Sequence, residues 1–207
     1  MNSSDLVYAV LLTIYNAFII FFVSRQVSQR FGTYVARKTI HVLSAGVSVA
    51  LAPLLFSNWQ APLLLGSLMI VFTLVGHLRK PYRWFQISNN YADVYFTVAC
   101  TALLVGFWNY EIWIGVLSSL FLAWGDGLTG IVRSLVYKKR NKGVWGNIAM
   151  FLICITLGIL MNGRVGYAGL IGAVFASIVE KFERVDDNIS IPFGSAALMT
   201  LLRMLLV

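Results

Sequence analysis

The residues with the most chemical potential in this chain are acids set in apolar surroundings. Asp126 stands in Trp124-Gly125-Asp126-Gly127, inside an apolar run from 112 to 136 whose other charge is Arg133. A carboxylate in such a run is costly in a bilayer and by default marks a functional site. A second acidic group follows: Glu180, then Asp186-Asp187-Asn188, then Pro192. Hard oxygen ligands from several chain positions suit Mg²⁺, which is typically held by one or two carboxylates plus substrate phosphates. Asp126, Glu180, Asp186 and Asp187 are therefore the candidate metal ligands. The ordinary explanations are an aspartate paired to a base for packing and a solvated acidic turn.

Basic residues supply the complementary half. Arg37, Lys38 and His41 open an apolar stretch. Positions four apart share a helix face, and positions three apart lie close. Two cations and an imidazole near a helix N-terminus make a candidate anion site. Snorkelling explains Arg37 and Lys38 equally well, but not an imidazole inside the stretch. Lys138-Lys139-Arg140-Asn141-Lys142 forms a second basic run, followed by Gly143 and Gly146. It reads either as an attraction to anionic headgroups or as a phosphate-binding loop, which glycines suit because their backbone approaches phosphates closely. Around Asp126, Gly125, Gly127 and Gly130 permit close approach of a helix or ligand, and Thr129 and Arg133 share its face.

These groups must be carried by membrane-type helices. The chain is 59% hydrophobic and 12% charged, against about 25% charged for soluble domains, and its mean hydropathy is +0.80. Nothing in its 207 residues is hydrophilic enough for a separate soluble domain. The reading is one all-α integral membrane domain over 1–207, a helical bundle of seven to eight spans. Those spans fall at about 6–24, 39–57, 61–78, 92–110, 112–136, 144–163, 165–180 and 189–207, since each needs about 20 apolar residues. The first has no basic flank and no small-residue cleavage site, so it reads as a retained span. Cys100 and Cys154 fall in apolar runs without paired spacing and read as buried free thiols.

The net charge of +8 does not point to nucleic acid, because the basic residues are sorted by link. Arg25, Arg30, Arg37 and Lys38 fall at link 1–2, and Arg79, Lys80 and Arg83 at link 3–4. Arg133, Lys138, Lys139, Arg140 and Lys142 fall at link 5–6, and Lys181 and Arg184 at link 7–8. Only Arg164 and Arg203 fall on the other side. The positive-inside rule makes those four links cytoplasmic, and it gathers the candidate site at the cytoplasmic ends of the spans.

The segment 185–192 is expected as a polar loop between two spans. Asp and Asn favour turns, and Pro192 biases Ile191 toward extended backbone.

With these motifs in order, the chain resembles the CTP-dependent polyprenol kinase family: dolichol, phytol and farnesol kinases and the fungal-type diacylglycerol kinase. Arg37-Lys38-Thr39-Ile40-His41 resembles that family's Arg-Lys-x-x-His motif. Gly125-Asp126-Gly127 matches its central Gly-Asp motif, and Asp186-Asp187-Asn188-Ile189-Ser190-Ile191-Pro192 its late Asp-Asp-Asn-x-x-x-Pro motif. The chain departs from the pattern at Lys142-Gly143-Val144-Trp145-Gly146-Asn147. There the family shows Lys-Ser-x-Glu-Gly-Ser.

The resemblance implies transfer of the γ-phosphoryl group of a nucleoside triphosphate, CTP by family pattern, to a lipid alcohol of the polyprenol type. Phosphoryl transfer is mainly positioning and charge neutralisation. Mg²⁺ then sits among Asp126, Glu180 and Asp187. Arg37, Lys38, Lys142, Gly125, Gly127, Arg133 and Asn188 contact substrate. Asp126 or His41 orients or deprotonates the hydroxyl, and the sequence does not choose between them. The lipid enters sideways between spans with its tail remaining in lipid. Two alternatives stand beside this one: a CTP-dependent cytidylyltransferase making a CDP-lipid, and a small ion-coupled transporter.

Overall fold

Long apolar stretches satisfy their backbone polar groups internally by coiling into helices, and every long apolar run of this chain does so. The computed structural model describes residues 2–137, 143–182 and 186–206. Among the described residues it is all-helical, with one isolated antiparallel bridge, Ile87 to Asn90. Four helical stretches are long and apolar enough to cross a membrane: Ser3–Leu55, Gln60–Arg79, Ile112–Tyr137 and Asp187–Leu205. Three more apolar helices are shorter: Ala92–Phe107, Val144–Leu160 and Tyr167–Val179.

The first stretch is not one crossing. Its 53 residues would run about 80 Å at 1.5 Å per residue. It turns back at Gly32, whose φ of +85° suits glycine alone. Helix α1 (residues 3–31) and helix α2 (residues 33–55) thus form an antiparallel hairpin. Asp5 accepts hydrogen bonds from the Ser57 amide and hydroxyl at 3.0 and 3.1 Å. Farther along, the Tyr15 hydroxyl donates to the Leu43 carbonyl at 2.7 Å, and Asn16 pairs with Ser44 and Ser48. Link 1–2 is therefore a single residue. Arg25, Arg30, Arg37 and Lys38 ride on helix, which their propensities favour.

Helix α3 is Gln60–Arg79, α4 Ala92–Phe107, α5 Ile112–Tyr137, α6 Val144–Leu160, α7 Tyr167–Val179 and α8 Asp187–Leu206. Helix α5 is the axis of the bundle, packed by α2, α4, α6 and α8. Of its apolar stretch 83% is buried, against 22–33% for the other long stretches. A helix apolar all round belongs inside. The outer helices instead turn Leu, Ile and Phe side chains outward, a surface compatible with a lipid surround.

Three helices widen into π turns: α1 over Ile19–Val23, α2 over Ile40–Gly46 and α5 over Phe121–Asp126. Such turns frequently occur at functional sites. The clustered glycines of α5 thus leave it helical. The turns of α2 and α5 face each other, and the Trp124 indole donates to the Val42 carbonyl at 2.9 Å.

The late acidic segment differs from the loop expected for it. Helix α8 starts at Asp187, and Pro192 lies inside it. The Asp186 carboxylate accepts the Asn188 amide at 2.9 Å, an N-cap bond that stabilises a helix start. Pro192 supplies no amide to the Asn188 carbonyl four residues back, which a helix tolerates near its start.

The described residues flanking the basic links meet at one end of the bundle. Thr33 donates to the Arg83 carbonyl, Arg25 stacks over Trp84, and Arg133 on α5 reaches Glu180 at the end of α7. The opposite end holds Asn2, Ser57, Glu111, Arg164 and Arg203. Cys100 and Cys154 are free and buried, as their setting predicts.

Candidate functional site

Helix α2 divides its polar residues between two faces. Arg37 and His41, one turn apart, line a cavity enclosed by α1, α2, α3 and α4. Lys38, one residue on and rotated by about 100°, points the other way and forms a buried ion pair with Asp126 of α5. Gly130 makes this reach possible, because a Cβ there would stand 2.8 Å from Lys38 Cε. Arg37 donates to the Asn90 side chain at 3.4 Å and lies over the Tyr34 ring.

A second buried ion pair lies one helix farther on. Glu180, with no exposed surface, accepts from Arg133 Nη1 at 2.5 Å and Nη2 at 3.1 Å. Such forked guanidinium–carboxylate pairs are among the strong hydrogen bonds. Nη2 also donates to Asn147 of α6 at 2.8 Å. Gly146 provides the room, since a Cβ there would fall 2.6 Å from Arg133 Cγ.

Asp187, the first residue of α8, completes the group. One carboxylate oxygen from each of Asp126, Glu180 and Asp187 lies within 4.8 Å of the others. Asp186, by contrast, is the cap, and it also accepts from the Asn188 side chain at 2.7 Å. The donor set is hard oxygen throughout. That chemistry fits a magnesium-sized dication.

The sequence-derived candidates therefore part company. Asp126, Glu180, Asp187, Lys38 and Arg133 converge, whereas the Asn188 side chain bonds Asp186. His41 sits beside them, its Cβ 3.7 Å from where a Cβ on Gly127 would stand, but its ring turns into the cavity. There it stacks on Phe96 at 3.8 Å. Neither ring nitrogen has a hydrogen-bond partner among the described residues. Gly125 serves helix packing, against Met150 and Cys154, and Gly127 packs against Val42. Lys142, with the run 138–141, lies outside the described residues. Trp145 is exposed.

One polar cluster escapes the motif reading. Asp93, in the first turn of α4, bonds to His77 at 2.8 Å and Gln86 at 2.7 Å. Gln86 also donates to the Thr73 carbonyl and accepts the Tyr82 amide. This cluster pins link 3–4 across the inner end of the cavity. Asp93 and His77 at facing ends of neighbouring apolar runs were the available signal.

No family model, curated protein or solved structure matches the chain.

Proposed function

We propose that this is an integral membrane enzyme of eight crossings that performs metal-dependent phosphoryl transfer at the cytoplasmic face. Within that class, the reading best supported is a lipid-alcohol kinase using a nucleoside triphosphate, CTP by the pattern of the family it resembles. The observation that carries the proposal is the convergence of Asp126, Glu180 and Asp187 beside Lys38 and Arg133, at the end of the bundle where the basic links meet.

Magnesium bound there would neutralise charge on the nucleotide's β- and γ-phosphates. Arg133 holds the Glu180 carboxylate in a fixed orientation. Lys38, released from Asp126 when that carboxylate takes up a cation, is placed to bind a phosphate oxygen, with Arg37 on the adjoining face. His41, buried and without a hydrogen-bond partner among the described residues, accepts the proton of the attacking hydroxyl. The hydroxyl oxygen forms a bond to the γ-phosphorus as the bond from that phosphorus to the β–γ bridging oxygen breaks. The nucleoside diphosphate leaves with the bridging oxygen.

Purified protein in nanodiscs, given γ-labelled CTP, Mg²⁺ and geranylgeraniol, should yield labelled lipid phosphate and CDP. Release of pyrophosphate with a CDP-lipid would identify a cytidylyltransferase instead. Absence of any nucleotide-dependent lipid product across a panel of lipid alcohols and the four common triphosphates would sink the enzyme reading.

Two neighbouring acids separate metal binding from helix capping. Asp187→Ala should raise the Mg²⁺ requirement or eliminate turnover. Asp186→Ala should cost about 1 kcal/mol as a lost N-cap and leave the Mg²⁺ titration unchanged. Superimposable titrations for the two variants would rule out a metal role for Asp187.

Orientation is checked by thiol labelling, which the buried Cys100 and Cys154 leave clean. With basic links inside, Gln29→Cys and Ser88→Cys should resist an impermeant reagent on intact cells, and Asn109→Cys should react. The reverse pattern would turn the molecule over.

A further inference from the structure

The cavity between α1, α2, α3 and α4 has a chemistry of its own. Its volume is about 300 Å³, and its walls are largely apolar. It runs along α2 from Arg37 to Ala52, about 22 Å at 1.5 Å per residue. That is most of the roughly 30 Å hydrocarbon core of a bilayer. Phe21 and Leu68, both about half exposed, stand on its rim, so it communicates with the surface between α1 and α3.

The polar groups along the walls are mostly satisfied by the protein itself. Thr13, Thr73, Thr97 and Thr101 donate to carbonyls of their own helices. Asn16, Ser44 and Ser48 bond one another. His41 breaks this pattern: 4% exposed, it has no hydrogen-bond partner on either nitrogen among the described residues. A buried polar group left unpaired costs about 1–3 kcal/mol, so an imidazole facing an apolar cavity points to a ligand that brings a hydroxyl or similar group.

We propose that this cavity is the binding site for one long hydrocarbon chain ending in a hydroxyl, with the hydroxyl at His41 and the tail running inside the protein toward Leu12, Ala52 and Leu104. The tail is thus enclosed by the first four helices and does not remain in the bilayer. One chain is specified because about 300 Å³ is the lower end of ligand-pocket volumes, which leaves no room for a diacyl lipid. The head end lies on the helix turn whose other face carries Lys38. The hydroxyl's role as phosphoryl acceptor rests on the kinase reading, but occupancy of the cavity does not.

The test uses no nucleotide. Wild-type protein in nanodiscs is photolabelled with a geranylgeraniol derivative bearing a diazirine at the tail end, and adducts are mapped by mass spectrometry. Adducts should concentrate on the Leu12, Ala52 and Leu104 end of the cavity. Unlabelled geranylgeraniol should suppress them at least tenfold, and dioleoylglycerol should not. Ala45→Phe, which obstructs the cavity midway, should remove the far-end adducts. Adducts spread over outward-facing residues such as Leu152 and Leu160, or equal competition by dioleoylglycerol, would overturn the proposal. Cavity adducts without phosphoryl transfer would overturn only the kinase reading. Phosphoryl transfer without cavity adducts would overturn only this one.

Discussion

Asp126→Asn is expected to lower turnover by about 10² to 10³, the usual cost of removing one key electrostatic contact. It should also weaken the fold, because Lys38 then loses the carboxylate it is buried against. Removing one partner of a buried ion pair commonly costs about 3–5 kcal/mol, whereas replacing both with apolar or neutral groups is often close to neutral. The double variant Lys38→Met/Asp126→Asn should therefore recover most of the thermal stability and none of the turnover. That split separates chemistry from packing. If the double variant regains activity along with stability, Asp126 acts only by holding Lys38 in place.

Arg133→Met should produce the largest loss of stability of any change at the site. Glu180 has no exposed surface and accepts two hydrogen bonds from this one guanidinium. The expected cost is again about 3–5 kcal/mol, or about 10 °C in melting temperature for a chain of this size. Arg133→Lys should recover little, because an ammonium cannot reproduce the forked contact to Glu180 together with the bond to Asn147. Adding Glu180→Gln to Arg133→Met should restore most of the melting temperature, but not Mg²⁺-dependent turnover. A melting temperature unchanged in Arg133→Met would mean that Glu180 is neutral or held by other groups.

The two ion pairs bear on how the site can be loaded. Each cation occupies a carboxylate that the metal reading needs, and the two are held differently. Lys38 is a point charge on a flexible stem that can move from Asp126 to a phosphate. Arg133 is fixed at its head by Glu180 and Asn147 and packed along its stem by Gly146. Arg133 thus suits positioning, and Lys38 suits exchange between carboxylate and phosphate.

Much of this was legible from residue types alone. Apolar runs mark helices because backbone groups away from water must be satisfied within the segment. Sorting Lys and Arg by link grouped four connections that the fold brings to one end. The cost of a charge in apolar surroundings singled out Asp126, the acidic segment after it offered Glu180, Asp186 and Asp187, and Asp126, Glu180 and Asp187 do converge. Such arguments are local: they depend on what one stretch of chain can bury. Partnership is not local. That Lys38 meets Asp126 while Arg37 and His41 turn to a cavity depends on how α2 is rotated against α5. That Arg133 serves Glu180 depends on α7 lying beside the far turn of α5. The helical start at Asp187 against a nearby proline depends on the Asp186 cap and on packing of α8 against α7. The cavity itself is the space left between two hairpins, a product of their packing that no single segment encodes.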